Sequence, residues 1–221
     1  MKDYASKDVR NVVLLGHAGS GKSTFVESAL FKTKAIDRMG KASDGSLAMD
    51  YEPEEAKRGQ SVFTAIAPVE WKNTKINFID TPGYLDYEGE KITGVVAADN
   101  ILCMVSAKDG IESGTESAVK LARKYSLPLV FFVNKLDEDN ANYEKVVGDL
   151  QAQFGSSAIP FILPDGSKAL NKEGAAADYY DQIAEAIASA DEALMDKFFE
   201  GTPFTPEEKA RKIVSKKENG Q

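Results

Sequence analysis

Glycines, a lysine and hydroxyl side chains near the start of the chain occur at a spacing that suits phosphate binding. The segment runs from Gly16 to Thr24, follows apolar residues 12–15 and fits the pattern G-x-x-x-x-G-K-[ST]. Glycine lets successive backbone N–H groups turn inward around an anion, the lysine reaches the β and γ phosphates, and the serine hydroxyl can ligate Mg²⁺. The sequence predicts a phosphate-binding loop with the contact residues His17, Ala18, Gly19, Ser20, Gly21, Lys22, Ser23 and Thr24.

A second motif, D80-T-P-G83, follows apolar residues 76–79. An acidic residue at the end of a strand can hold Mg²⁺ through water, which we expect of Asp80, and the Gly83 N–H is suited to bonding the γ phosphate. The same four residues are also good turn formers. Their position downstream of a phosphate loop favours the nucleotide interpretation.

The motif N134-K-L-D137 follows apolar residues 129–133 and predicts which base is bound. The Asp137 carboxylate can accept two hydrogen bonds from guanine N1–H and the 2-amino group, a pair that adenine does not offer. Asn134 can bond the far edge of the purine, and the Lys135 stem can lie along the ring. These residues favour a guanine nucleotide, with an ATP-using phosphate-loop enzyme such as a kinase as the weaker alternative.

Strand and helix patterns alternate along the chain, as a parallel sheet covered by helices requires. Segment 33–59 is polar, with little periodicity. The predicted strands are 9–15, 61–71, 75–79, 100–106 and 129–133, with the second and third antiparallel; the predicted helices are 22–31, 88–98, 112–125, 142–154 and 175–199. The predicted class is α/β, with a mostly parallel central sheet and helices on both faces.

Composition limits the classes of protein to which this chain can belong. The chain has 221 residues, 43% of them hydrophobic, which is enough for one substantial core. A net charge of -8 argues against binding nucleic acid through an extended basic surface. The basic cluster at 209–217 is interpreted as a solvated tail. Cys103 is the only cysteine, so no internal disulfide forms, and its apolar surroundings predict a buried strand residue. With no apolar signal core or membrane-length stretch, we expect a cytoplasmic protein.

The chain resembles the N-terminal GTP-binding domain of elongation factor G and its paralogues from about residue 9 to 213. Beyond the nucleotide motifs, the similarity includes M39-G-K-A-S-D-G-S-L-A-M-D50 and E54-E-A-K-R-G59, which resemble the first switch of that family, and the helix-like segment 189–200. The resemblance implies a P-loop NTPase G domain that hydrolyses GTP to GDP and phosphate with Mg²⁺. It also implies a monomer that acts on the ribosome, in translocation or recycling. We expect turnover in isolation to be slow, because Tyr84 stands where the family has a catalytic histidine.

Three positions depart from the family pattern. Gly19 stands where the family has aspartate, and Ser61 aligns with the threonine that ligates Mg²⁺, so the resemblance implies a metal set of Ser23, Ser61 and Asp80. Tyr84 replaces the histidine that orients the attacking water. The implied catalytic set is therefore Tyr84, Lys22 and Gly83. A phenol, with a usual pKa of about 10, cannot act as a cation near neutral pH. A GTP- or GDP-binding module with little hydrolysis consequently remains the alternative to a GTPase.

The family's last guanine-contact motif, a Ser-Ala pair at the end of another strand, does not occur before Gln221. In relatives, the region from residue 160 onward carries a sizeable inserted subdomain, which looks shortened here. We therefore expect an incomplete domain. The predicted division is a GTP-binding core at 1–158 and a shortened helical insert, helix and basic tail at 159–221.

Overall fold

The computed structural model describes residues 2–188, 192–202 and 204–205. Within them the chain forms two compact units, which divide between Ala141 and Asn142. The sequence placed a boundary after residue 158, and that functional division stays a prediction. The basic cluster at 209–217 lies outside the described residues. No helix in the described ranges is both long enough and apolar enough to span a bilayer.

The first unit is built around a sheet of five strands in the order β2-β3-β1-β4-β5. The strands are β1 (Val9–Gly16), β2 (Ala65–Trp71), β3 (Thr74–Asp80), β4 (Asn100–Ser106) and β5 (Leu129–Asn134). β1 pairs in parallel with β3 and β4, and β5 pairs in parallel with β4, whereas β2 is antiparallel to β3. The predicted fold class and the antiparallel pair are confirmed.

Among the described residues, the first unit contains the helices α1 (Lys22–Lys32), α2 (Pro53–Arg58), α3 (Glu88–Val96) and α4 (Ser113–Tyr125), and the second unit contains α5 (Tyr143–Phe154), α6 (Tyr180–Ala188) and α7 (Glu192–Phe199).

Neighbouring residues of β1 place helices on opposite faces of the sheet. Leu14 belongs to a buried cluster with Val26 and Leu30 of α1, whereas the Val13 side chain lies beside Gly94 of α3. Successive side chains of a strand point to opposite faces, so α1 and α3 cover different sides. Because β1 is central and apolar on both faces, its end at Gly16 is a fixed point from which the phosphate loop leaves.

Segment 33–59 contains more structure than its composition suggests. It includes a 3₁₀ turn at Ala42–Asp44 and the short helix α2. Glu27 of α1 is buried, and its two carboxylate oxygens accept hydrogen bonds from the backbone N–H groups of Gly40 (2.7 Å) and Ala48 (2.8 Å). The segment is therefore attached to the unit both by this buried carboxylate and by the buried side chains of Leu47 and Met49.

Glu55 of α2 similarly displaces the predicted start of β2 from residue 61 to Ala65. Its Oε1 atom accepts hydrogen bonds from the N–H groups of Val62 (2.8 Å) and Phe63 (3.0 Å). Thr64 N–H donates instead to Glu90 Oε2 of α3 (2.8 Å). These backbone groups are therefore bonded to side chains and not to the sheet.

The prediction of a single helix at 175–199 is wrong. The structure has a 3₁₀ segment at Gly174–Tyr179 and then two helices, α6 and α7, with residues 189–191 outside the described part. The two helices pack against each other through a buried cluster containing Ile187 and Leu194, with Ile183 and Phe198 beside it. The apolar faces of two helices therefore meet here, which one straight helix does not allow.

Candidate nucleotide-binding site

The phosphate loop leaves β1 at Gly16 and ends at Gly21, the residue that precedes α1. Three of its residues have positive φ angles, Gly16 (139°), Gly19 (77°) and Gly21 (97°), a region that disfavours residues with a Cβ. A Cβ at Gly16 would also collide with the Met104 carbonyl oxygen, and one at Gly21 with the Asn134 amide. The predicted loop glycines are therefore required by backbone angle, and two of them also by close packing.

Lys22, the first residue of α1, is buried and lies under this loop. Its ammonium donates hydrogen bonds to the backbone oxygens of His17 (2.9 Å) and Gly16 (3.3 Å). Burial lowers the pKa of Lys22 to about 8, against the attraction of Asp80. The ammonium is thus held inside the loop, where an anion with several negative charges would favour its charged form.

The three residues of the predicted metal set lie close together. The Ser23 and Ser61 hydroxyl oxygens are 3.2 Å apart, although 38 positions separate them in sequence. Asp80 is buried, and burial raises its pKa to about 6 even though the neighbouring Ser23 hydroxyl and Lys22 favour its charged form. Among the described residues, neither carboxylate oxygen has a geometrically good hydrogen-bond partner.

This arrangement fits a magnesium ion. Mg²⁺ prefers oxygen ligands and keeps several of its own waters, so protein sites supply only one or two carboxylates together with phosphate oxygens. A buried carboxylate without a satisfactory partner is costly, and a cation with its water shell would compensate it. Two adjacent hydroxyls and one such carboxylate therefore suit an ion bound beside phosphate.

Gly83 lies against the phosphate loop. A Cβ built there would be 2.6 Å from the backbone nitrogen of Ala18 and 2.7 Å from Lys22 Nζ, so only glycine fits. Its carbonyl oxygen accepts a hydrogen bond from Lys91 of α3 (3.3 Å), which links this turn to the helix that follows it. Tyr84, the next residue, is exposed, and its hydroxyl accepts a hydrogen bond from Gln60 Nε2 (3.0 Å).

The predicted base-binding motif lies at the end of β5. The Asn134 amide donates to the Ser20 backbone oxygen (3.0 Å), so this motif is attached to the phosphate loop. Lys135 has a φ of 61°, and its ammonium lies 3.0 Å from Glu138 Oε1. Asp137 is exposed at the same edge. Since β1, β3, β4 and β5 are parallel and their motifs follow the carboxyl ends, the three motifs meet at one edge of the sheet.

The remaining loop residues differ in their surroundings. Ser20 is buried, and its hydroxyl oxygen has no hydrogen-bond partner among the described residues, whereas Gly19 and Thr24 are exposed. The sequence did not identify the contacts of His17. Its ring nitrogens lie 3.4 Å from Glu112 Oε1 and 3.3 Å from Ser113 Oγ, at the start of α4. A Cβ on Gly114 would collide with the His17 backbone, so this end of α4 supports the loop directly.

Comparison with known proteins gives a consistent set of relatives. The family model described as the elongation factor Tu GTP binding domain matches residues 7–217. The chain is 32% identical to an elongation factor G-like protein of Thermotoga maritima, over 97% of this chain and 34% of the relative. It is 33% identical to elongation factor G of Mycoplasma genitalium, over 90% of this chain and 33% of the relative. The chain thus spans about a third of the length of these relatives.

Solved structures agree with these similarities. A crystal structure of a Thermus thermophilus protein matches with a TM-score of 0.81 and 31% identity, over 92% of this chain and 34% of the other. A bacterial selenocysteine-specific elongation factor matches with a TM-score of 0.52 and 22% identity, over 65% of this chain and 24% of the other, a likeness of fold alone.

Proposed function

Because the chain belongs to the family of the elongation factor Tu GTP-binding domain, with relatives named elongation factor G, we propose that it is a Mg²⁺-dependent GTPase of the elongation factor G type. The observation that carries the proposal is the meeting of Lys22, Asp80 and the adjacent Ser23 and Ser61 hydroxyls under one glycine-rich loop. The proposed reaction is hydrolysis of GTP to GDP and phosphate, coupled to work on the ribosome in translocation or recycling.

The reaction requires little covalent chemistry from the protein. The oxygen of water forms a bond to the γ phosphorus while the bond from that phosphorus to the bridging oxygen breaks, and the electron pair stays on GDP. The proton released by water ends on the phosphate product. The protein contributes position and charge: Lys22 and the loop N–H groups hold the β and γ phosphates, and the Gly83 N–H bonds the γ phosphate. Ser23, Ser61 and Asp80 would hold Mg²⁺, which neutralises phosphate charge when bound.

We assign base recognition to the motif at the end of β5. Asp137 is exposed at the carboxyl edge of the sheet, so its oxygens are accessible to the guanine N1–H and 2-amino groups. The Lys135 stem can lie along the ring while its ammonium is paired with Glu138. Asn134 is bonded to the loop carbonyl of Ser20, so it also sets the distance between the base and phosphate subsites.

The second candidate is a module that binds GTP or GDP but hydrolyses little. The observation favouring it is Tyr84, whose exposed phenol is bonded to Gln60 and replaces the family's histidine. Under either candidate the ribosome is the proposed partner, the cytoplasm the proposed location and the monomer the proposed state. Ribosome-dependent phosphate release distinguishes the two candidates.

Nucleotide competition tests the base assignment. A fluorescent GDP analogue is bound to the chain and displaced by GTP, ATP or xanthosine triphosphate in the presence of Mg²⁺. We expect GTP to displace it at least about 100-fold better than ATP, because a lost pair of hydrogen bonds to a charged acceptor costs roughly 3 kcal/mol. Asp137→Asn should shift preference toward the xanthine nucleotide. Equal displacement by ATP would show that the guanine assignment is wrong.

A further inference from the structure

A hydrogen bond joins two exposed residues, one before β2 in sequence and one after β3. Gln60, which precedes β2 in sequence, donates from Nε2 to the hydroxyl oxygen of Tyr84, which follows β3 (3.0 Å). Neither residue is buried, so the bond itself contributes little to folding. The bond nevertheless lies next to the residues of the phosphate site.

Both residues are direct neighbours of groups at the phosphate end. Ser61 follows Gln60, and its hydroxyl lies 3.2 Å from that of Ser23. Gly83 precedes Tyr84, and a Cβ there would be 2.7 Å from Lys22 Nζ. The Gln60–Tyr84 pair therefore lies next to the place where Lys22 and Ser23 would hold the terminal phosphate. Because both residues of the pair are exposed, water can reach the phosphate from this side.

The two side chains have unequal hydrogen-bonding capacity left. Gln60 uses one N–H for Tyr84, and its carbonyl oxygen Oε1 has no hydrogen bond from the described residues. That oxygen can accept a hydrogen bond from water, which turns the water's lone pair away from Gln60. Tyr84 accepts from Gln60 and keeps its own O–H to donate. In this arrangement the amide, and not the phenol, presents the free acceptor.

We propose that Gln60 positions the attacking water through Oε1, and that Tyr84 acts through Gln60 by fixing the orientation of the amide. The inference rests on the proposed GTPase function. A neutral amide removes no proton: water donates a hydrogen bond to Oε1 while its oxygen bonds the γ phosphorus, the phosphorus bond to the bridging oxygen breaks, and the proton ends on phosphate. Water orientation by a glutamine amide is known chemistry for GTP hydrolysis.

If the Gln60–Tyr84 hydrogen bond has only a structural role, its loss should have different effects from the loss of a pair that positions water. A hydrogen bond that only holds two segments together would alter the affinity for GTP and Mg²⁺. A residue that contacts only the attacking water would alter the rate of the bound complex and leave affinity nearly unchanged. Comparing the two quantities therefore separates the explanations.

The test uses the 221-residue chain in four forms, wild type, Gln60→Ala, Tyr84→Phe and the double variant. Gln182→Ala is the matched control, since Gln182 is an exposed glutamine in α6. For each form the dissociation constants of GDP and a slowly hydrolysed GTP analogue are measured. Single-turnover phosphate release is then followed with saturating protein, with and without ribosomes. Lys22→Ala shows whether the release comes from this site.

We expect Gln60→Ala to slow phosphate release at least about tenfold while both dissociation constants stay within about threefold of wild type. Tyr84→Phe should slow release about three- to tenfold, because one hydrogen bond that orients the amide is lost. The double variant should be no slower than Gln60→Ala, since the two residues act as one unit. Gln182→Ala should match wild type.

The inference is overturned if Gln60→Ala releases phosphate at the wild-type rate, if its defect is confined to affinity, or if the two single effects multiply in the double variant. Those results leave the proposed function intact, because the wild-type chain still hydrolyses GTP. If the wild type binds guanine nucleotide but releases no phosphate under any condition, the GTPase proposal itself fails, and the inference fails with it.

Discussion

Lys22 and Asp80 are both buried beside the phosphate loop, and burial shifts their pKa values in opposite directions. It lowers the pKa of Lys22 to about 8 and raises that of Asp80 to about 6. Each group is thus held where its charged form is costly without a ligand. The cost is consistent with a site prepared for a polyphosphate and its cation, whose charges would favour both ionised forms.

Asp80→Asn should separate stability from ligand binding. A pKa raised from 3.8 to about 6 means that ionised Asp80 disfavours the folded state at pH 7, by roughly 1–3 kcal/mol. The neutral amide removes this cost, so we expect the melting temperature without nucleotide to rise by about 2–6 °C. The additional stabilisation by Mg²⁺ and GDP should fall sharply, because the amide is a poor substitute for the carboxylate.

Thermal unfolding with and without Mg²⁺ and GDP measures both effects. Asp149→Asn is the control, since Asp149 is an exposed aspartate of α5, and we expect it to change neither quantity. An Asp80→Asn protein that is less stable without nucleotide, yet stabilised normally by Mg²⁺ and GDP, would contradict the assignment.

At the scale of elements, the site depends on close approaches between segments far apart in sequence. The start of α4 touches the phosphate loop at His17, and Asn134 at the end of β5 bonds the Ser20 carbonyl. Glu27 of α1 holds Gly40 and Ala48 of the first-switch segment. Each contact connects the loop or its helix to an element that carries another part of the site, so displacement of one element would disturb the others.

Two helical glycines allow a matched test of this packing. Alanine normally stabilises a helix relative to glycine by about 0.5–1 kcal/mol. We expect that gain for Gly148→Ala, because a Cβ there meets nothing within 4 Å. Gly114→Ala should instead destabilise the protein by about 1–3 kcal/mol and weaken GDP binding, because its Cβ would collide with the His17 backbone.

Urea unfolding and GDP titration of the two alanine variants measure these changes. Equal stability and equal GDP affinity for both variants would show that α4 does not pack closely against the phosphate loop.

For the molecule as a whole, the sheet order places Cys103 in an interior strand of the first unit. Cys103 lies in β4, between Leu15 of β1 and Phe131 of β5, and is fully buried. Burial raises the pKa of its thiol to about 12. As the chain's only cysteine, it provides a natural probe of whether the sheet is open.

Thiol labelling should therefore report unfolding of the sheet. We expect Cys103 to react very slowly with a thiol reagent in the native protein at pH 8 and to react within seconds in concentrated urea, because only the unfolded chain exposes it. GDP at 100 times its dissociation constant should slow native labelling up to about 100-fold. Gln182→Cys supplies an exposed thiol as the fast reference. Rapid native labelling of Cys103 would contradict the buried assignment.

Much of the fold was predictable because its signals are local. Strand β4 was predicted with its observed bounds, since its apolar run is continuous and ends at a polar residue. The first-switch segment was not, because the carboxylates of Glu27 and Glu55 bond backbone groups within it and next to it, and such bonds leave no periodic signature in sequence. The 175–199 helix was overpredicted because apolar spacing alone does not distinguish one straight helix from two that fold onto each other.

The sequence by itself determined the three motifs, their order and the residue types at each, because backbone freedom, charge and hydroxyl chemistry belong to individual residues. Only the tertiary structure decided which of them meet. Parallel pairing of β1 with β3 and β4, and of β4 with β5, brings residues as distant as Ser20 and Asn134 into contact. It also placed Ser61 beside Ser23 and Gln60 on Tyr84, pairings that spacing along the chain does not encode.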